Sequence, residues 1–287
     1  MCARGVPQPS GWSSPGDERE YQRPFSWWGF GWTQPEPRSL PWLIHSGTIT
    51  TREAAFLSLA IESRRTVIIA AEPPKAGKTT LLTALVDFLD PAITPIYLRG
   101  IYERFEFLSE VDPAESYILC NEISAHLPTY LWGRGVRILF DALTKGFTMA
   151  TTMHAPAGQH ILDKLRAYPL DVPADHTERI DLVVILDMNY VDNHLVRRVT
   201  GIDRIDGHGD QVSVQQLSHR DRLRTSPSIA LGRMIRTLGS WLGIDDERAS
   251  SLLIRRERFL DECVRSGRLG VDQVREALRV HRGGQVQ

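Results

Sequence analysis

Lysine, paired cysteine and long apolar runs are scarce in this sequence, and each scarcity narrows what the chain can be. Among 34 basic residues, Lys stands only at positions 75, 78, 145 and 164, the rest being Arg. Against 35 acidic residues the net charge is −1, which gives no electrostatic case for nucleic acid or an anionic membrane surface as partner. The three cysteines, Cys2, Cys120 and Cys263, lie far apart with no Cys-x-x-Cys pair and no His at ligand spacing, so a reduced, cytosolic setting fits. The longest apolar runs, Val67–Ala71 and Leu182–Leu186, have the length of strands and fall far short of a bilayer span. No charged segment followed by an apolar stretch opens the chain, so no secretory signal is expected. Direct membrane insertion is not expected, and contact with a membrane would need a partner.

What is present is enough for one large α/β core, or a core with a small appended module: 287 residues, 42% apolar and 24% charged. The most informative stretch is TVIIAAEPPKAGKTTLLTAL, from Thr66 to Leu85, a β-branched strand running into Gly-Lys-Thr-Thr and an apolar helix. A helix N-terminus offers unpaired N–H groups and a positive dipole end, which is what a phosphate-binding loop needs. In that reading Pro74, Lys75, Ala76, Gly77, Lys78, Thr79 and Thr80 form the nucleotide site. Gly77 lets amides close on phosphate, Lys78 neutralises its charge, and Thr79 offers a hydroxyl to Mg²⁺. Glu72 stands where the first glycine of the usual loop would be, and Lys75 replaces a frequent further glycine.

Residues 1 to 40 are rich in Pro, Gly, Ser and Trp and read as a disordered leader, whose Trp27, Trp28, Phe30 and Trp32 would dock on the core, another subunit or a partner. Residues 41 to 225 read as the core. Thr50 and Glu53 fit a capping box opening a helix to about Ser63. Strands are expected at Thr66–Ala71, Thr94–Leu98, Glu115–Glu122, Phe147–Thr152 and Arg179–Asp187, with a helix from Lys78 to about Leu89 and another over Pro128–Lys145. Strands alternating with helices imply a mainly parallel sheet covered on both faces. His194–Asp206 and Gln211–Leu217, separated by Gly-His-Gly-Asp, signal an edge hairpin. Residues 226 to 287 read as a helical subdomain: Ile229–Leu242, Asp246–Ser266 capped by Asp245, and Val271–Val280. Leu253, Phe259, Leu260, Val264, Val274 and Leu278 would line its inner face and the arginines between 248 and 282 its outer one.

Ligands of parallel sheets gather at the C-terminal strand ends. Glu122 ends the third predicted strand and is the candidate base for an attacking water, although spacing alone also allows a Glu facing solvent. Thr151-Thr152-Met153-His154 ends the fourth, with His154 placed to donate toward the γ-phosphate. His160 and His176 have no such company and are given no role.

With these residues in place, the chain from about Leu43 to Val280 resembles the secretion motor ATPases, the group serving type II and type IV secretion, type IV pili and tight adherence. ILCNEI is similar to the family's Walker B segment, which puts Glu122 on its glutamate. TKGFTMATTMHAPA resembles its histidine box, with His154 on the histidine. RIDLVVIL followed by RRVTGIDRID matches the strand and Arg-Arg-Val-Thr segment after it. The resemblance implies a P-loop NTPase fold of RecA type, ATP and Mg²⁺ as cofactors, ATP hydrolysis, a hexameric homo-oligomer in the cytoplasm and an inner-membrane platform protein as partner. Several positions depart from the family. Its acidic box should fall near Ile96–Glu103, where Arg99 and Gly100 replace acids and only Glu103 remains. Ser124-Ala125 stands for Arg-Asp, and about 40 irregular residues stand where the family carries a separate N-terminal domain. With Glu72, these departures imply either slow hydrolysis or a nucleotide-binding subunit without turnover that assembles with an active relative.

Overall fold

A computed structural model of the chain describes residues 19–29, 37–208, 211–221 and 225–283. Its centre is a seven-stranded sheet: β1 (Val67–Ala70), β2 (Thr94–Tyr97), β3 (Ser116–Leu119), β4 (Met149–Met153), β5 (Leu182–Val191), β6 (His194–His208) and β7 (Gln211–His219). The order across the sheet is β2-β3-β4-β1-β5-β6-β7, parallel as far as β5 and antiparallel beyond it. This is a P-loop NTPase fold, with β4 inserted between the phosphate-loop strand and the strand that leads to Glu122.

The period-two alternation of the strands divides the core into two layers. Val67, Ile69, Tyr117, Leu119, Leu182 and Val184 face one layer, and Ile68, Ala70, Ile118, Val183 and Ile185 the other. The first layer is closed by α1 (Leu40–His45), α2 (Thr51–Glu62), α3 (Lys78–Val86), α7 (Pro227–Leu242), α8 (Asp246–Arg265) and α9 (Val271–Gly283). The second is closed by α4 (Arg134–Thr144) and α5 (Gly158–Arg166), beside the short α6 (Ala174–Thr177). The expected capping box is formed: Thr50 Oγ1 accepts from the Glu53 N–H and Glu53 Oε2 accepts from the Thr50 N–H. Asp245 caps α8 by accepting from the Arg248 N–H.

Four expectations are corrected. The third strand stops at Leu119, because the chain beyond it leaves the ladder and Ile123 makes a single parallel bridge to Leu131. That bridge, together with Gly133 at φ 62°, keeps residues 128–133 out of the helix expected there, so α4 begins at Arg134. The fifth strand runs on to Val191 and turns back through Asp192 and Asn193, both at positive φ, so the antiparallel end has three strands. The arginines of the C-terminal helices do not all face outward, since Arg256 is buried, donating to Ser58 and Glu62, while Arg275 holds Asp87 and Arg282 holds Glu62. Residues 19–29 of the leader form two 3-10 turns that bury Tyr21 and Trp27 against the core. Phe30 and Trp32 lie outside the described residues.

Gly100 has a packing reason to be glycine. Its φ is +63°, and a Cβ there would meet the Pro128 carbonyl oxygen at 2.4 Å, where that carbonyl accepts from the Ile101 N–H. Gly100→Ala is expected to destabilise the fold by about 2 kcal/mol or more, read as a lower urea midpoint.

Candidate nucleotide site

The C-terminal ends of β1, β3 and β4 meet at one cleft. β1 leads into a loop in which Lys75 (φ 63°) and Gly77 (φ 97°) are left-handed, and Gly77 is the N-cap of α3. The first N–H groups of that helix therefore point out of its end without intrahelical partners. The cleft has a volume of about 740 Å³, within the range of small-molecule sites, and Pro74 through Thr80 all line it. The hydroxyl residue Thr79 is half-buried on its wall, one residue after Lys78.

Three side chains converge behind the loop. Lys78, buried at the start of α3, places Nζ 3.8 Å from Glu122 Oε2 and 3.2 Å from His154 Nε2. His154 Nε2 lies 3.4 Å from Glu122 Oε1, which closes the triangle. Glu122 is buried, its carbonyl accepting from the Leu131 N–H, and Thr152 Oγ1 lies 3.3 Å from its Oε2 while also donating to the Asn121 carbonyl at 3.0 Å. Its Oε1 is buried and without a hydrogen-bond partner. His154 Nδ1 is 3.1 Å from the carbonyl of Glu72 and donates to it, while Lys78 Nζ, 3.4 Å from Nδ1 and 3.2 Å from Nε2, lies against the ring and leaves the Nε2 lone pair toward Glu122. Burial pushes the Lys78 ammonium below the usual lysine range, against the opposing pull of Glu122. Burial also raises the Tyr130 phenol on the cleft wall, with Glu122 adding to it, and lifts the neighbouring Cys120 thiol to about 12. That thiol is inert, in keeping with a structural rather than reactive cysteine.

The departures read from the sequence fall elsewhere. The Glu72 side chain is exposed, and only its carbonyl takes part, holding His154. Arg99 turns away from the cleft to the leader: its guanidinium lies 4.9 Å over the Phe25 ring and donates to the Glu20 carbonyl at 2.6 Å. Glu103 accepts from the Arg99 and Phe105 N–H groups and so is used within its own turn. Neither residue lines the cleft, so Arg99 puts no charge beside Lys78.

Sequence reasoning missed Arg197, whose Nε donates to the Lys75 carbonyl at 2.8 Å and braces the loop from β6. The Arg-Arg-Val-Thr segment that carried part of the resemblance was the available signal. It also missed His126, on the loop after Glu122, whose ring centroid is 5.7 Å from that of His154. At the other end of the cleft Arg38 lies 4.4 Å over the Trp42 ring of α1, with Leu195 and Val196 of β6 nearby on the lining. His176 is placed against Asp141 on the far layer, 3.0 Å away.

Fold and site together define an α/β P-loop architecture with Lys78, Glu122 and His154 gathered at the loop that opens α3. No family model matches the chain. It is similar to two proteins of Methanocaldococcus jannaschii. Uncharacterized protein MJ1287 is 24% identical over 242 residues, which cover 76% of this chain and 88% of that protein. Uncharacterized protein MJ0900 is 27% identical over 194 residues, 61% of this chain but only 35% of that protein, so the chain spans about a third of it. Among solved structures it is similar to the VirB11 ATPase of the Brucella suis type IV secretion system, in complex with sulphate, at a TM-score of 0.39 and 17% identity over 60% of each chain. It is also similar to the Legionella pneumophila ATPase DotB, at a TM-score of 0.34 and 12% identity over 78% of this chain and 62% of that one. The chain thus spans about three fifths of each.

Proposed function

We propose that this cleft binds ATP with Mg²⁺ and hydrolyses it, and that the protein is a motor subunit of the secretion or pilus-assembly kind. The observation that carries the reading is the triangle of Lys78, Glu122 and His154 beneath a helix N-terminus in a cleft of nucleotide size. The residues suit the substrate: Glu122 Oε1 is a buried acceptor with nothing bound to it, and Gly77 lets the loop turn its amides toward an anion. Lys78 exchanges its contacts to Glu122 and His154 for phosphate oxygens. Glu122, released from the ammonium and steadied by Thr152, takes the proton of a water aimed at the γ-phosphate. His154 is freed on its Nε2 side and reports whether that phosphate is present. Thr79 would hold Mg²⁺, which supplies neutralisation of phosphate charge when bound. A ring of copies working at the inner face of a cell membrane, through a platform protein, completes the reading. Among the described residues no helix is long and apolar enough to cross a membrane.

Lys78→Ala is expected to weaken ATP binding roughly 10–100-fold in a calorimetric titration, the scale of a lost hydrogen bond to a charged group. The pH dependence has a definite sign. Free Lys78 sits below the ordinary lysine range, and phosphate favours its charged form, so binding raises its pKa. Above the free value, binding takes up a proton and affinity falls as pH rises. Calorimetry in buffers of different ionisation enthalpy reads that uptake, and Lys78→Ala abolishes it.

A second reading, a nucleotide-binding subunit without turnover, is favoured by one observation. Glu122 is the one carboxylate among the described residues lining the cleft, since Glu103 is turned away. Phosphate release by the protein alone, far above the Lys78→Ala background, excludes it.

A further inference from the structure

One group of side chains beside the phosphate loop is not used as a set by the reading above. Glu122, His126 and His154 each bring a ligand atom to within 4.8 Å of the other two. The tightest pair, His154 Nε2 and Glu122 Oε1, is 3.4 Å apart. Two ligands held about 2.0–2.2 Å from a tetrahedral zinc ion lie roughly 3.3–3.6 Å from each other, so this pair already has the spacing.

Each of the two is also oriented as a ligand. His154 donates through Nδ1 to the Glu72 carbonyl, which leaves the Nε2 lone pair facing Glu122, the outer-sphere arrangement that metal-bound histidines use. Thr152 Oγ1, shared with the Asn121 carbonyl, and the Lys78 ammonium both face Glu122 Oε2, whereas Oε1 is buried without a hydrogen bond, so a desolvated acceptor is already in place. His126 is exposed on the loop that follows Glu122, with a ring nitrogen within 4.8 Å of the other two ligand atoms and its ring centroid 5.7 Å from that of His154.

We propose that Glu122, His126 and His154 form a site for a borderline divalent metal such as Zn²⁺. Two imidazoles and one carboxylate select against Mg²⁺, which takes oxygen ligands and keeps its waters. Lys78 is the competitor, because its ammonium touches both Glu122 and His154 and must withdraw before the metal enters. A triphosphate draws the same ammonium away, so nucleotide and metal bind together rather than exclude each other. A metal held here takes Glu122 out of water activation, which makes the site inhibitory wherever hydrolysis occurs. Metal capture itself stands on the donor geometry and is independent of the ATPase reading.

Cobalt(II) titrated into the nucleotide-free full chain tests it, read by visible absorption. Four- or five-coordinate cobalt gives intense bands that six-coordinate cobalt in solution lacks. The expected result is bands that saturate at a single equivalent, are removed by Zn²⁺ and are untouched by Mg²⁺. His126→Ala should weaken cobalt binding by about tenfold or more, while His160→Ala, at an exposed histidine outside the cluster, leaves it unchanged. Because His126 is exposed its removal spares the core, and a thermal melt verifies that the variant is folded. Wild-type protein without bands, or a folded His126→Ala variant with wild-type affinity, overturns the proposal.

Discussion

Glu122→Gln is expected to bind ATP with near wild-type affinity and to release phosphate about 10²–10⁴-fold more slowly. Gln keeps the volume of the side chain and can still accept from Thr152 Oγ1, so the strand end and the loop after it keep their form. What is lost is the proposed base, together with the negative charge 3.8 Å from Lys78 that would compete with phosphate for its ammonium. Affinity therefore has no reason to fall, and turnover has one. Calorimetry gives the first quantity and a single-turnover phosphate assay the second. Unchanged turnover would remove Glu122 from the mechanism and leave its burial without a catalytic explanation.

The second large effect is structural. Glu62, the last residue of α2, receives Arg256 of α8 on one oxygen and Arg282 of α9 on the other at 3.0 Å. Arg256 is 4% exposed, and its other partners are the Ser58 hydroxyl and the face of Phe88. Glu62→Ala strands that guanidinium in the apolar layer, and removing one partner of such a pair costs about 3–5 kcal/mol. A lowered urea midpoint would show it. Replacing the buried pair by apolar residues, as in Glu62→Leu with Arg256→Met, should recover most of the loss, because the cost comes from the unpaired buried charge and Arg282, partly exposed, keeps the Phe88 and Leu89 carbonyls. A double variant as unstable as the single one would place the effect in packing instead.

How far these features could be read beforehand depended on whether their cause was local. The capping box at Thr50 and Glu53, the Asp245 cap and the strand-turn-helix from β1 through Gly77 to α3 are written within a few residues of themselves, and they appear where the pattern places them. Glu122 and His154 could be placed together because two strand ends lie at the same side of a parallel sheet, and their side chains come within 3.4 Å of each other. The misreadings have distant causes. The short extent of β3 and the late start of α4 follow from Ile123 meeting Leu131, a contact that leaves no periodic trace. The burial of Arg256 depends on where α8 lands on α2, and in the sequence it looks like any other arginine on a charged face. The direction of Arg99 depends on Glu20 and Phe25 of the leader. The turn at Asp192-Asn193 was legible, since both residue types tolerate positive φ, but a second hairpin signal nearby drew the reading away from it.

The strand that leads into the Gly77 loop has no sequence neighbour beside it. β1 is flanked by residues 150–153 on one edge and by residues 182–185 on the other, so its hydrogen bonds wait on loop closures that span much of the chain. Once the protein is folded, anything that binds the loop clamps the sheet at its most non-local joint. At a hundredfold excess over its dissociation constant such a ligand adds about 2.7 kcal/mol against global unfolding.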